Sequence, residues 1–181
     1  NLNYNKVTHF KKIKDIKNLK FKYGFICSGS NEHIKHFKLI NKICRKIFIE
    51  KPISNSILEI RKNKKYLKQN KIQVGYNFIF LEKITFIKKF FLNKKEKIQK
   101  IHVKAGYFLP YWRKNINYQN SVSAKKKFGG GVVLELSHEI SYIIWLFGKP
   151  KFVYAKLFKI SDLKIDVEDS AFIILEYNKF V

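Results

Sequence analysis

Methionine is absent from this 181-residue chain, and cysteine, proline and arginine are scarce, with two, three and three residues respectively. Without methionine, Asn1 is not an intact initiator, so the chain is expected to be a piece of a longer protein. The two cysteines, Cys27 and Cys44, supply no disulfide framework, which makes a reducing cytoplasm the expected location. Long apolar runs are missing too. The nearest approach to one is Ile140 to Phe147, far short of the roughly 20 residues a spanning helix needs, and the first residues carry no apolar core of the secretory kind. Acidic side chains are few: 13 against 38 lysines and arginines, a formal net charge of +25. Such a charge ordinarily points to nucleic acid. Against that stand the lone arginines Arg45, Arg61 and Arg113, since base-reading surfaces favour the forked guanidinium. The lysines are scattered through every segment, and Lys, Asn, Ile, Phe and Tyr share AT-rich codons. Genomic base composition acting on solvated positions accounts for the charge, and nucleic acid is not expected as a partner.

What remains is a globular composition, 46% hydrophobic, sufficient for a buried core. Tyr23 to Ser28 reads as a short buried strand, and Gly29-Ser30-Asn31 as a turn with a helix cap. From Asn31 to about Cys44 the apolar residues Ile34, Phe37, Ile40 and Cys44 recur at helical spacing. Ile47-Phe48-Ile49 forms a second strand ending at Glu50-Lys51-Pro52. Ser54 is positioned to cap a helix running to about Asn70, and Ile72 to Tyr76 is a third strand. Strands alternating with helices predict a parallel sheet with helices on its faces. After Tyr76 the pattern changes. Leu81 to Phe91 reads as helix, Ile98 to Phe108 as a long strand, Val132 to Phe147 as helix, and Phe152 to Ile160 and Ala171 to Tyr177 as successive strands. The expected fold is therefore α/β, a partial Rossmann-like parallel sheet (residues 1–75) followed by an α+β domain with a largely antiparallel sheet (residues 76–181). No Gly-rich strand-turn-helix that seats a pyrophosphate is present. About two strand-helix units are expected to be missing before Asn1, and Val181 stops within an expected sheet.

On a helix running from Val132 to Phe147, Val133, Leu136, Ile140, Ile143, Ile144 and Phe147 share an arc of about 100°. Glu135, His138 and Tyr142 fall in an opposing wedge of about 60°. Taken alone, that wedge reads as the solvent face of an amphipathic helix. Glu50-Lys51-Pro52 would likewise read as an ordinary turn, were it not at the C-terminal end of a parallel strand, where ligands bind in open α/β sheets.

The succession of Glu50-Lys51-Pro52, Val74-Gly75-Tyr76-Asn77, Leu109-Pro110-Tyr111-Trp112-Arg113 and Ser123 to Ile140, with its Gly129-Gly130-Gly131, resembles the Gfo/Idh/MocA oxidoreductases. The Leu-Pro-x-Trp segment resembles the branch acting on bacterial surface-polysaccharide sugars. The resemblance implies hydride transfer between NAD or NADP and a hydroxyl or carbonyl of a sugar, polyol or nucleotide-sugar. It implies Lys51, Glu135 and His138 as catalytic residues, with Ser28, His33, Glu50, Lys51 and Pro52 at the cofactor. Tyr107, Trp112 and Arg113 are candidate substrate contacts, by stacking on a sugar ring and by holding a carboxylate or phosphate. His138 is cast as general base, Lys51 as the partner of the reacting oxygen, and Glu135 as orienting the imidazole or binding a second hydroxyl. No metal is called for, and homo-oligomers through the C-terminal sheet are implied. Departures from the family pattern are Gly29 for a proline, Glu135 for an aspartate, Ser141 for an acidic residue and Ile79 for an arginine. These favour the alternative, a non-catalytic remnant or scaffold of the same fold.

Overall fold

A computed structural model describes residues 7–68, 71–93 and 98–178. Its first half is a three-stranded parallel sheet in the order β1-β2-β3, formed by Phe21–Ile26, Cys44–Ile49 and Ile72–Val74. Gly24 pairs with Ile47 and Ile26 with Ile49, while Ile49 in turn pairs with Val74. Helix α1 (His33–Ile40) joins β1 to β2, and α2 (Ile57–Lys62) with α3 (Lys64–Leu67) joins β2 to β3. Strands added one after another in a single direction, with right-handed crossovers, put both connections on the same face. The buried cluster follows from this: Ile26, Phe37, Ile43, Cys44, Ile47 and Ile49, with Ile40 and Leu67 of the helices packed against it. Full burial of an isoleucine or phenylalanine stabilises by about 1.5–3 kcal/mol. On the other face Tyr23 and Phe25 are exposed, Phe25 lying 5.9 Å from the Phe48 ring.

Several boundaries also differ from expectation. Helix α1 ends at Ile40, and Cys44 opens β2, buried against the same core that a helical Cys44 would have met. The expected helix from Ser54 divides at Asn63, whose buried amide donates to the Glu59 carbonyl, and its cap is Ser56, which accepts from the Glu59 amide. The expected end at Asn70 lies outside the described residues. Ser54 instead accepts from the Ser56 amide and donates to the Glu59 carboxylate.

Beyond β3, residues Asn77–Phe80 form a 3-10 turn and Glu82–Asn93 form α4. A short α5 (Leu109–Trp112) follows, then α6 (Val132–Glu135), α7 (Ser137–Phe147), and the antiparallel pair β4 (Phe152–Phe158) and β5 (Ser170–Glu176). The expected strand from Ile98 to Phe108 is not formed. A strand needs a partner for its backbone groups, and the segment lies instead across a cavity of about 660 Å³ from β5. The single helix expected from Val132 to Phe147 breaks at Leu136 (φ −97°, ψ 29°). Its expected core face is only half-buried, with Ile144 exposed. Among the described residues no helix is long and apolar enough to cross a membrane.

Candidate active site

The turn after β2 starts the site. The Glu50 amide donates to the Ile26 carbonyl and the Gly75 amide to the Ile49 carbonyl, so the ladder continues past the strand ends and holds Glu50 between the ends of β1 and β3. The next peptide, Lys51–Pro52, is cis. From this turn the Lys51 ammonium reaches across to α6, donating to the Glu135 backbone carbonyl at 2.8 Å and standing 3.8 Å from the Glu135 carboxylate. Both side chains are largely buried, at 17% and 15% exposure, so this pair is not a solvated surface contact. The other carboxylate oxygen of Glu135 accepts from Ser123 Oγ at 2.8 Å.

The approach depends on the glycines. Gly129 (φ +83°) passes so close to Ser30 Oγ and Asn55 Cβ that a side chain there has no room. Gly131 (φ +102°) opens α6 against the Glu168 carboxylate, which accepts from the Val133 amide. Ser30 Oγ donates to the Phe128 carbonyl, tying the loop after β1 to the same segment.

His138 lies one residue into α7. Its ring stacks on Phe78 at 4.1 Å between centroids and 12° between planes, and meets Tyr76 edge-on at 5.9 Å and 88°. Its Nδ1 is buried without a hydrogen-bond partner among the described residues. Burial, reinforced by the Lys51 charge, holds the imidazole below the usual histidine range, while Glu139 and Glu50 act in the opposite sense. A neutral imidazole is the form that accepts a proton. Burial also pushes the nearby Tyr142 phenol up, so the wedge of Glu135, His138 and Tyr142 is not a solvent face.

The residues expected around a cofactor separate into two kinds. Ser28, Glu50, Lys51 and Pro52 are partly accessible at the ends of β1 and β2, with Ser28 Oγ paired to His36 Nδ1 at 2.8 Å. His33 is 1% exposed, and its two nitrogens meet the Pro52 carbonyl at 2.9 Å and the Ser28 carbonyl at 2.8 Å. It ties the two loops together from beneath. Of the expected substrate contacts, Tyr107 and Trp112 line the 660 Å³ cavity together with Glu135 and Ser123. Arg113 is exposed outside that lining, its guanidinium 5.9 Å from the Trp112 ring centre. Among the described residues no hydrogen bond joins Glu135 to His138; the helix breaks between them at Leu136, and Glu135 engages Ser123 and Lys51. The sequence reading named Ser123 and Tyr76 only as members of motifs and Phe78 not at all, because their contacts span distant segments.

A parallel sheet whose strand ends carry a lysine, facing a helix pair with a largely buried carboxylate and imidazole beside an antiparallel sheet, defines an α/β protein. Residues 95–181 match the family model of the GFO/IDH/MocA C-terminal domain. The whole chain shares its fold with solved structures. One is yvaA from Bacillus subtilis, 19% identical at a TM-score of 0.76, with 98% of this chain and 49% of that one covered. Another is the WlbA dehydrogenase from Bordetella pertussis, in complex with NADH and UDP-GlcNAcA, 17% identical at a TM-score of 0.74, with 94% and 49% covered. An oxidoreductase from Agrobacterium radiobacter, in complex with NAD+, L-tartaric acid and magnesium, is 16% identical at a TM-score of 0.66, with 87% and 45% covered. The chain spans about half the length of these structures. No curated protein matches it.

Proposed function

We propose that this chain supplies the reacting face of an NAD(P)-dependent oxidoreductase that moves a hydride between the nicotinamide and a hydroxyl or carbonyl of a sugar, polyol or nucleotide-sugar. The observation that carries the reading is the Lys51 contact: an ammonium from the end of a parallel strand, 2.8 Å from the backbone of the helix pair that presents His138. Solved relatives of the same fold hold NADH or NAD+, in agreement with this use of the strand ends.

The dinucleotide would supply and accept the hydride. Ser28, Glu50, Lys51 and Pro52 suit its nicotinamide end, being partly accessible at the sheet edge, whereas a glycine-rich turn for its pyrophosphate is not among these 181 residues. In the oxidation direction His138, which burial keeps unprotonated, takes the proton of the substrate hydroxyl. Lys51 donates to the same oxygen and stabilises negative charge developing there. Glu135 holds Lys51 in place with its carbonyl and carboxylate, and Ser123 steadies that carboxylate. Tyr107 and Trp112 offer aromatic faces to a sugar ring in the cavity they share with Glu135. Arg113 stands at its margin to meet an anionic substituent. The division into a cofactor unit and a substrate unit near Tyr76, a cytoplasmic location, and self-association through the exposed β4 side chains Phe152, Val153, Tyr154 and Leu157 belong to the same proposal.

The test is NAD(P)-linked turnover by the full-length protein over a panel of sugars, polyols and nucleotide-sugars, with Lys51→Ala and His138→Ala as comparisons. Turnover that falls by about 10²–10⁴ in each variant supports the assignment, and wild-type rates in both reject it. Dinucleotide binding without turnover in the wild type favours the scaffold reading, to which Glu135, Ser141 and Ile79 incline.

A further inference from the structure

A general base is ordinarily aimed by a hydrogen bond to its second ring nitrogen. His138 lacks that device. Its Nδ1 is buried with no hydrogen-bond partner among the described residues, and the contacts its ring makes there are aromatic. Phe78 lies nearly parallel to it at 4.1 Å, and Tyr76 stands edge-on at 5.9 Å. Both come from the segment that leaves β3, in which the Tyr76 amide bonds to the Val74 carbonyl and the Asn77 amide to the Gly75 carbonyl. That segment is braced by these backbone hydrogen bonds where it leaves the parallel sheet.

We propose that Tyr76 and Phe78 are the positioning residues of His138, an aromatic corner that sets the plane of the imidazole in place of a hydrogen bond. The inference rests on the proposed function for its purpose and on the ring geometry for its existence. Two faces at about a right angle determine a ring's plane and its rotation. The stack also bears on charge. The negative face of the Phe78 ring lies against the imidazole and favours its protonated form, in opposition to burial and the Lys51 charge. The charged groups around the ring are Lys51 and Glu50 from the turn after β2 and Glu139 from α7. None of them forms a hydrogen bond to it among the described residues.

The experiment is ring-proton NMR of the full-length protein carrying 13C-labelled histidine, with the His138 signal assigned through His138→Gln. In the wild type the signal is expected upfield, displaced by the Phe78 ring current, with a titration midpoint below the ordinary histidine value. Phe78→Leu should abolish the upfield displacement and lower the midpoint further, and Phe78→Tyr should keep both. A wild-type signal without upfield displacement overturns the proposal even if Phe78→Leu does not fold. Once a substrate is in hand, Phe78→Leu should lower kcat about tenfold or more with KM for the dinucleotide within about twofold, because the base is misaimed rather than the cofactor released. An unchanged kcat in a variant that has lost the ring-current signature overturns the positioning role. His138→Ala with full turnover rejects the functional reading instead, and leaves the NMR result standing.

Discussion

Lys51 Nζ is bonded to the main-chain oxygen of Glu135, at 2.8 Å, more closely than to that residue's carboxylate, at 3.8 Å. The position of the ammonium therefore depends on the path of the backbone through α6 and only secondarily on the acidic side chain. The shorter bond is to an atom that every residue possesses, so it does not require a glutamate at this position.

Glu135→Gln should accordingly leave Lys51 in place and reduce turnover by no more than about tenfold, against the 10²–10⁴ expected of Lys51→Ala. Initial rates of the two variants on one substrate decide this. Equal losses would mean that the carboxylate itself takes part in the reaction.

Ser123→Ala removes the donor to Glu135 Oε1 in a largely buried place. A hydrogen bond to a charged group contributes about 1.5–3 kcal/mol, so urea denaturation should register a loss in that range. Ser123→Thr, which keeps the hydroxyl, tests whether the loss comes from the hydrogen bond or from the space.

Stability should depend on pH through His138. Its folded-state basicity is depressed by burial and by Lys51, so between the ordinary histidine value and the folded one the unfolded chain binds more protons. Stability is therefore full above the unfolded value and is lost as pH falls toward the folded one. Urea midpoints measured from pH 7.5 down to 5 should fall in the wild type. The fall should be shallower in His138→Gln; parallel curves would contradict the burial argument.

Gly131→Ala places a methyl group against the Glu168 carboxylate at φ +102°. Backbone strain of this kind costs about 1–3 kcal/mol before any clash is counted. Chemical denaturation should give at least that loss, and adding Glu168→Ala should restore only the steric part. Full restoration would show that φ at this position is not strained.

Phe37 is 1% exposed at the centre of the helix-covered face of the parallel sheet. Phe37→Ala should cost about 3–5 kcal/mol in equilibrium unfolding, the range for emptying a packed aromatic site. A cost below 1 kcal/mol would mean that the open sheet collapses around the gap.

The parallel strands were legible in the sequence because their evidence is local. Ile47 and Ile49 sit in a run bounded by turn residues, and the ladders formed close to where that run lies. The antiparallel pairing of β4 and β5 was legible for the same reason, as two strands in succession without a helix between. Periodicity misled where a tertiary contact overrode it. Cys44 fits a helical stripe equally well, yet backbone pairing with Phe21 draws it into β2. Ile98 to Phe108 alternates like a strand, but alternation cannot supply a neighbouring strand.

In the site, it was the resemblance of short motifs to a family pattern that named Lys51, Glu135 and His138 as candidates. Only the tertiary structure decided how they are held. It put Glu135 with Lys51 and Ser123 rather than with His138, closed His33 between two carbonyls, and set His138 against Tyr76 and Phe78. The physical reason is sequence separation. Periodicity describes neighbours three or four residues apart, whereas a hydrogen bond from Lys51 to Glu135 or a ring contact from Phe78 to His138 exists only after the sheet edge and the helix pair have met.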